Sequence, residues 1–343
     1  MRRGSAVLAF LAVIAAVFYG LFRYAEQREA LRKETAQPAE ILTVYTDLPQ
    51  GAVQLFDEPF FREAGVRLSV QEMTRAQMTA AAKRGQTPDV YVASRRALEQ
   101  LKEAGVLQPH MSAETDTVLN ACKDKDGSWT GVWMNPAVFA VNIDFAASHP
   151  AFFYTWDEVF NRQSVRLVMT DFIAADYSED CLMALVEHFG RDGAFERLAS
   201  AAGHIVQYGK YLSTPAHMAS MDKCDIGISG LDEAQKVRQE GLPVRIVYPE
   251  DGTFYYLYGA ALARDAARPE RGAAFIDWIL DSEERSDLLS DNGYYFMYVN
   301  DTRLPADDMK RKIAFWPLDK QYTETGKKEL LDLWLQNIRF GKE

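Results

Sequence analysis

Apolar residues along this chain follow two main rhythms. Residues 6–22 form a single, nearly unbroken apolar run. Beyond residue 40 the apolar positions come as short clusters rich in Val, Ile, Leu and Tyr, or are spread at helical spacing. Short β-branched clusters bounded by Gly, Pro or Asp predict strands, and apolar positions three and four apart predict one face of a helix. Residues 41–45, 66–70 and 90–92 are predicted strands. Each is followed by a helical stretch: one ending at Ala64-Gly65, one over 75–84, and one over 95–104 stopped by Gly105. Strand and helix alternating in this way imply a largely parallel sheet.

The middle of the chain is organised by residues 126–144, D-G-S-W-T-G-V-W-M-N-P-A-V-F-A-V-N-I-D. The stretch opens on a turn signal, Asp126-Gly127. Its apolar part, 138–143, is too short for a helix and reads as a buried strand carrying the chain from one α/β lobe into a second. Further strands are predicted at 165–169, 205–208, 225–229 and 244–248, with helices over 178–189, 214–221 and 232–240. After the turn 249–253, residues 254–263 return to the first lobe. Residues 323–338 are an amphipathic helix with Leu330, Leu331, Trp334 and Ile338 on one stripe. The expected division is therefore 41–142 plus 256–305 as the first lobe and 143–255 as the second. Helices within 306–343 pack on the lobes, and hinges lie near Asn142 and Tyr255.

The apolar run 6–22 follows Arg2-Arg3, as a secretory signal requires. As a helix it is about 25 Å long, short against a hydrocarbon core of about 30 Å. No cysteine follows it, so a lipoprotein anchor is ruled out, and Tyr19-Gly20-Leu21-Phe22 is no cleavage site of small residues. The expectation is an uncleaved membrane helix, with a cleaved signal peptide as the alternative. Residues 24–35 read as a charged helical stalk, ended at Gln37-Pro38.

Composition narrows the chemistry. The chain has 343 residues, a net charge of -11 and a pI near 5.1, against a nucleic-acid partner. Its five histidines make no H-x-x-x-H pair, and there is no phosphate-binding glycine loop. Gly227-Ile228-Ser229-Gly230 is no nucleophile elbow, because Leu231 stands where glycine is needed. No enzyme activity and no cofactor are expected. Cys122, Cys181 and Cys224 show no C-x-x-C spacing. Free thiols are expected, with a Cys181–Cys224 bridge as the alternative.

The segment from Trp129 to Asn142 resembles W-T-G-x-x-x-N-x-x-x-x-x-V-N of bacterial extracellular solute-binding proteins, the two-lobed periplasmic-binding-protein fold of ABC importers; Trp156-Asp157 follows as it does in that family. F-F-R-E-A-G-V-R-L-S-V, T-P-D-V-Y-V-A-S and L-K-E-A-G-V-L-Q-P are similar to its first lobe in order and spacing. D-I-G-I-S and E-G-L-P-V-R-I-V-Y-P-E-D-G-T are similar to its second-lobe exit. The resemblance covers about residues 40 to 340. It implies an α/β, type 2 periplasmic-binding-protein-like fold, here with an N-terminal membrane helix. It also implies a small-molecule ligand, an ABC permease as partner, and a place in the periplasm or on the extracytoplasmic face of the membrane. Two alternatives accompany it. One is an anchored sensor signalling to a receptor kinase. The other is ferric-ion binding, because some relatives bind iron through adjacent tyrosines. Tyr255-Tyr256 and Tyr294-Tyr295 are such pairs, but the segment after D-I-G-I reads Ser229-Gly230-Leu231.

Ligands of open α/β sheets sit at the carboxyl ends of strands. That selects Thr46, Asp47, Ala93 and Ser94 in the first lobe, and Asp171, Asp176 and Ser229 in the second. Trp129, Asp251 and Tyr255 join them at the two crossings. The competing assignment for each is an ordinary turn or cap residue, and Ser178 is the expected N-cap of its helix. Asp47, Asp171, Asp176 and Asp251 are all carboxylates, and in the same loops the one basic neighbour is Arg95. A cleft lined by one sign of charge concentrates the other. This pattern predicts a ligand with an amine or other cationic group, as polyamine-binding relatives suggest. The competing expectation is an anion such as a phosphate ester, held at helix N-termini.

Overall fold

In the computed structural model, which describes residues 40–300, 313–317 and 322–341, the strand clusters form one continuous eleven-stranded sheet. The chain opens with β1 (Glu40–Thr46), α1 (Asp57–Ala64), β2 (Val66–Glu72), α2 (Arg75–Lys83), β3 (Val90–Ser94) and α3 (Arg95–Glu103). β1 pairs parallel with both β2 and β3, as the alternation required. Local chemistry fixes the joints. Gly65, at φ 70°, ends α1 in the left-handed conformation that glycine takes without strain. Thr74 and Gln77 close a reciprocal capping box on α2. The Ser94 hydroxyl accepts from the Ala97 amide, so the last residue of β3 is also the N-cap of α3.

Short β4 (Leu107–Gln108) and α4 (Ala113–Thr117) lead into β5 (Thr130–Asn142), whose every residue is buried. The second lobe follows with α5 (Ile143–Ser148), α6 (Trp156–Asn161), β6 (Leu167–Thr170), α7 (Asp176–Phe189), α8 (Arg191–Ala202) and β7 (Ile205–Gly209). α9 (Thr214–Ser220), β8 (Ile226–Gly230), α10 (Leu231–Gln239) and β9 (Val244–Val247) complete it. β10 (Tyr255–Ala263) returns to the first lobe, which adds α11 (Pro269–Leu280), α12 (Ser282–Ser290) and β11 (Met297–Tyr298). α13 (Glu324–Trp334) closes the chain and runs into a π-helical turn, Leu335–Arg339.

The strand order β2-β1-β3-β10-β5-β8-β6-β7 makes β5 and β10 the strands through which the sheet passes from one lobe to the other. β5 pairs antiparallel with β10 from Thr130 to Pro136, and with β8 from Ala137 onward. Its partners therefore change between Pro136 and Ala137, earlier than the Asn142 hinge the sequence suggested. Proline has no N–H to give a ladder, and it stands where one set of partners ends. Asn142 instead caps α5, accepting from Asp144 and Phe145 amides at 3.0 and 2.9 Å and donating to the Ala219 carbonyl at 3.0 Å. The return crossing lies at the same level: Ala137 N donates to Phe254 O at 2.9 Å, and Thr253 Oγ1 donates to Ala137 O at 2.8 Å.

Each lobe has its own core. Phe56, Phe60, Trp133 and Phe275 anchor the first; Phe139, Trp156, Phe172 and Trp334 anchor the second. The last of these comes from α13, so the C-terminal helix belongs with the second lobe's core. Cys122, Cys181 and Cys224 are buried free thiols, and no Cys181–Cys224 bridge forms. Residues 1–39, with the expected membrane helix, lie outside the described residues; among those described, no helix is long and apolar enough to cross a membrane.

Candidate functional site

Strand β3 ends at the interlobe junction and turns directly into α3, and β6 feeds α7 from the opposite lobe. The two helices face each other across the start of β10. Between them lies a cavity of about 340 Å³. Arg95, Arg96 and Glu99 of α3 form one wall; Asp180, Met183 and Glu187 of α7 form the other. Tyr255–Leu257 of β10 make the floor, and the start of α13, from Tyr322 to Lys327, makes the rim. The walls thus come from both lobes and the floor from one of the two strands that join them.

The junction is held by charge. Arg96 of the first lobe reaches Asp176 at 3.0 Å, Glu179 at 2.7 Å and Asp180 at 3.4 Å, all on α7 of the second lobe. Arg75 adds contacts to Asp176 at 3.4 Å and to Glu324 of α13 at 3.9 Å. Burial pulls the Arg96 guanidinium toward the neutral form, but Asp180, Glu179 and Asp176 together more than offset this and hold it above its ordinary range. Burial pushes the Asp180 carboxyl up to about 6, against the pull of Arg96 and Lys327.

Beside the cavity, a row of aromatic rings runs along β10. Tyr177 lies 5.9 Å from Tyr256, Tyr256 5.2 Å from Tyr258, and Tyr258 5.2 Å from Phe296, centre to centre. Burial drives the phenols of Tyr177, Tyr256 and Tyr258 well above their ordinary range, so they stand as neutral hydroxyls. The Tyr177 hydroxyl is buried without a hydrogen-bond partner among the described residues. The adjacent tyrosine pairs do not converge. Successive strand residues point to opposite faces: Tyr255 packs on Phe315 at 5.3 Å, while Tyr256 turns to Tyr177. The Tyr294 hydroxyl is given to the Gln50 carbonyl. Among the described residues no His, Cys, Asp or Glu cluster is arranged for a metal ion.

The residues selected from the sequence fall in several places. Tyr255 lines the cavity, its hydroxyl accepting a long contact from Cys122 Sγ at 3.7 Å. Asp176 lies at the interlobe junction with both arginines. Asp47 is held by Ser94, accepting from its amide at 2.7 Å and its hydroxyl at 2.6 Å; burial raises its carboxyl and those two bonds lower it. Thr46 is buried and accepts from the Leu48 amide in the turn after β1. Ala93 is buried in β3 opposite Gly259 of β10. Trp129 backs the first-lobe wall, donating from Nε1 to Glu99 at 3.2 Å. The Ser229 hydroxyl is buried against the Gly230 carbonyl. Asp171 is paired with Arg339 at 3.0 Å, and Asp251 caps α6 by accepting from the Trp156 amide at 3.0 and 3.1 Å. Ser178 is not the N-cap of α7: Ala175 is, and Ser178 two places inside the helix bonds back to it at 3.2 and 2.8 Å.

Arg95 is not the one basic residue near the four carboxylates singled out from the sequence. Each of the four has a partner within the chain, and Arg75, Arg95, Arg96 and Lys327 line the cavity with Glu99, Glu103, Asp180, Glu187 and Glu324. One signal for the missed cations was present. Arg95 and Arg96 open a helix, where the backbone dipole repels positive charge, so an arginine there calls for a negative partner from elsewhere.

Residues 85–323 match the family described as bacterial extracellular solute-binding protein. An uncharacterized protein of Haemophilus influenzae is 23% identical over 258 residues, 71% of this chain and 73% of that one. The periplasmic binding protein AfuA of Actinobacillus pleuropneumoniae, solved with fructose-6-phosphate bound, superposes with a TM-score of 0.68 at 20% identity, over 88% of this chain and 99% of its own. Ferric iron-binding protein A of Mannheimia haemolytica, in an open conformation, gives 0.72 at 13% identity, over 89% and 100%.

Proposed function

The chain belongs to the bacterial extracellular solute-binding protein family, and from that premise we propose that it takes its solute in the cavity between the lobes and delivers it to the permease of an ABC importer. The observation that carries this reading is the cavity itself, about 340 Å³, with one wall from each lobe and a connecting strand as its floor. A hinge across Pro136–Ala137 and Phe254–Tyr255 lets α7 swing toward α3, and small backbone changes at those joints suffice for closure. Asp47, Ser94, Asp176 and Tyr255 belong to the solute site in this reading, while Asp171 and Asp251 serve the fold of the second lobe.

The lining supports a polar solute with both signs of charge or several hydroxyls, because arginine and lysine alternate with glutamate around a tyrosine floor. The relatives named above take a sugar phosphate and iron, so the architecture accommodates more than one chemistry. The apolar run 6–22 behind Arg2-Arg3 supports a tether to the membrane with both lobes on the extracytoplasmic side. The same tether suits presentation of a liganded form to a receptor kinase.

A thermal-shift screen of small metabolites identifies the solute, since a ligand at 100 times its Kd stabilises the native form by about 2.7 kcal/mol. Small-angle scattering then tests the mechanism. The radius of gyration should fall on saturation; an unchanged radius with the solute bound at full occupancy would falsify capture by closure.

A further inference from the structure

We infer that Arg96, seconded by Arg75, is a clasp between the lobes: it sets the closed position by gathering the carboxylates of α7, and so governs how long a solute is held, whatever contact it also makes as part of the cavity wall. The inference rests on the hinge reading above and adds to it which residue controls the hinge.

Four observations point to Arg96. Its side chain is only 7% exposed, yet all three partners belong to the other lobe. It grips Glu179 with both terminal nitrogens, at 3.2 and 2.7 Å, the two-pronged geometry that gives arginine–carboxylate pairs direction as well as energy. Its position in the first turn of α3 is electrostatically poor, because the helix dipole opposes a cation there. Asp176, Glu179 and Asp180 sit in the first turns of α7, where the same dipole favours anions. Each side of the contact is thus suited to the other, and α3 alone gives no reason for its arginine. Finally, Arg75 reaches across from the same lobe beside Arg96, to Asp176 and to Glu324.

The groups facing the clasp bear on its strength. Lys327 and Glu324 approach from α13 and pair with each other at 3.2 Å; Glu99 and Arg95 lie along α3; the neutral Tyr256 hydroxyl lies below. Asp180 is the member whose charge is least secure, its carboxyl raised to about 6 by burial. An ordinary surface ion pair contributes little and is screened by salt. A clasp shielded on the arginine side still weakens at about 1 M salt, where the screening length is about 3 Å.

Spin labels at Lys83→Cys in the first lobe and Gln207→Cys in the second, both exposed positions, report the lobe separation directly. The native thiols are buried and stay unlabelled. Arg96→Leu should lower the ratio of short to long separations at least about 5-fold, the scale of ordinary coupling between sites. Arg96→Lys should fall between it and wild type, and about 1 M NaCl should lengthen wild type but not Arg96→Leu. Should Arg96→Leu fail to fold, Glu179→Gln and Asp180→Asn remove the partners at constant size and should lengthen the separation in the same sense. Distributions identical to wild type overturn the clasp. If wild type shows two separations whose ratio ignores Arg96 and its partners, the clasp alone is wrong. If it shows one separation that neither salt nor any variant moves, the hinge reading falls with it.

Discussion

Trp334→Ala should cost the second lobe more than any change at the cavity. Trp334 is fully buried at the end of α13, edge-on to Phe172 at 4.9 Å and to Tyr208 at 5.7 Å. Truncating a core tryptophan costs about 3–5 kcal/mol, the lost transfer energy plus that of the cavity left behind. A domain of this size loses about 2–4 °C of melting temperature per kcal/mol, so a drop of about 10 °C is expected. The indole N–H is buried with no acceptor among the described residues. Trp334→Phe therefore keeps the aromatic packing and removes an unsatisfied donor, whose burial costs about 1–3 kcal/mol. The smaller ring loses part of that gain to a void, and the net change should stay within about 2 kcal/mol. The assay is thermal unfolding followed by near-UV circular dichroism and by fluorescence from Trp156 and Trp316, which share this core. An alanine variant melting within about 2 °C of wild type would refute the reasoning, as would a phenylalanine variant no better than alanine. The first result would mean that α13 is dispensable to the second lobe, and that Glu324 and Lys327 are held at the cavity rim by something else.

Two further outcomes follow from the geometry. Asp180, raised to about 6 by burial, binds its proton more tightly in the folded chain than the unfolded carboxyl does near 3.9, so its effect favours folding as the pH falls through 6 and opposes it above. Relative to Asp180→Asn, wild type should gain up to about 3 kcal/mol between pH 7.5 and pH 4, read from urea midpoints; a difference that does not change with pH removes the argument. Gly259→Ala should destabilise by about 1–3 kcal/mol, because a Cβ there would stand 2.5 Å from the Thr130 carbonyl oxygen and 3.0 Å from Leu98; an unaltered melting curve would show that β5 and β10 can part at that point at little cost.

Much of the frame was legible because its signals are local. β1, β2 and β3 were read from clusters of Val, Ile, Leu and Tyr, and their helices from apolar spacing and glycine stops. The lobe crossing at β5 was visible as the one long apolar stretch following a turn. The point at which β5 changes partners was not, since pairing depends on strands far along the chain; only Pro136, as a missing donor, marked it. Start residues also shifted. Ser178 looked like a cap by type, yet the chain turns into α7 at Ala175, and Ser178 bonds back to it from inside the first turn. Tyr255 was found as a crossing residue, but its neighbours in the cavity come from α2, α3, α7 and α13, and no spacing in the sequence announces that meeting.

The four carboxylates show why charge is harder to read than fold. A buried carboxylate needs a partner, and a list of aspartates at strand ends does not say whether that partner is a ligand or the chain itself. Here it is the chain. Asp47 is taken by Ser94, 47 positions away; Asp176 has Arg75 at 101; Asp171 has Arg339 at 168. Asp251 is satisfied by the backbone of α6. Ser94 and the α6 backbone are neutral donors, so only Asp171 and Asp176 are paired with an arginine, and Asp47 and Asp251 keep their charge without a cation bonded to them. The start of α7, a candidate anion site by its dipole, carries its own acids facing Arg96. The junction offers a cavity with both signs of charge on each side of it. The solute proposed for it matches both signs or offers hydroxyls to both. The solute and the clasp then act on the same closing motion, and for a given set of solute contacts the residence time should follow the clasp.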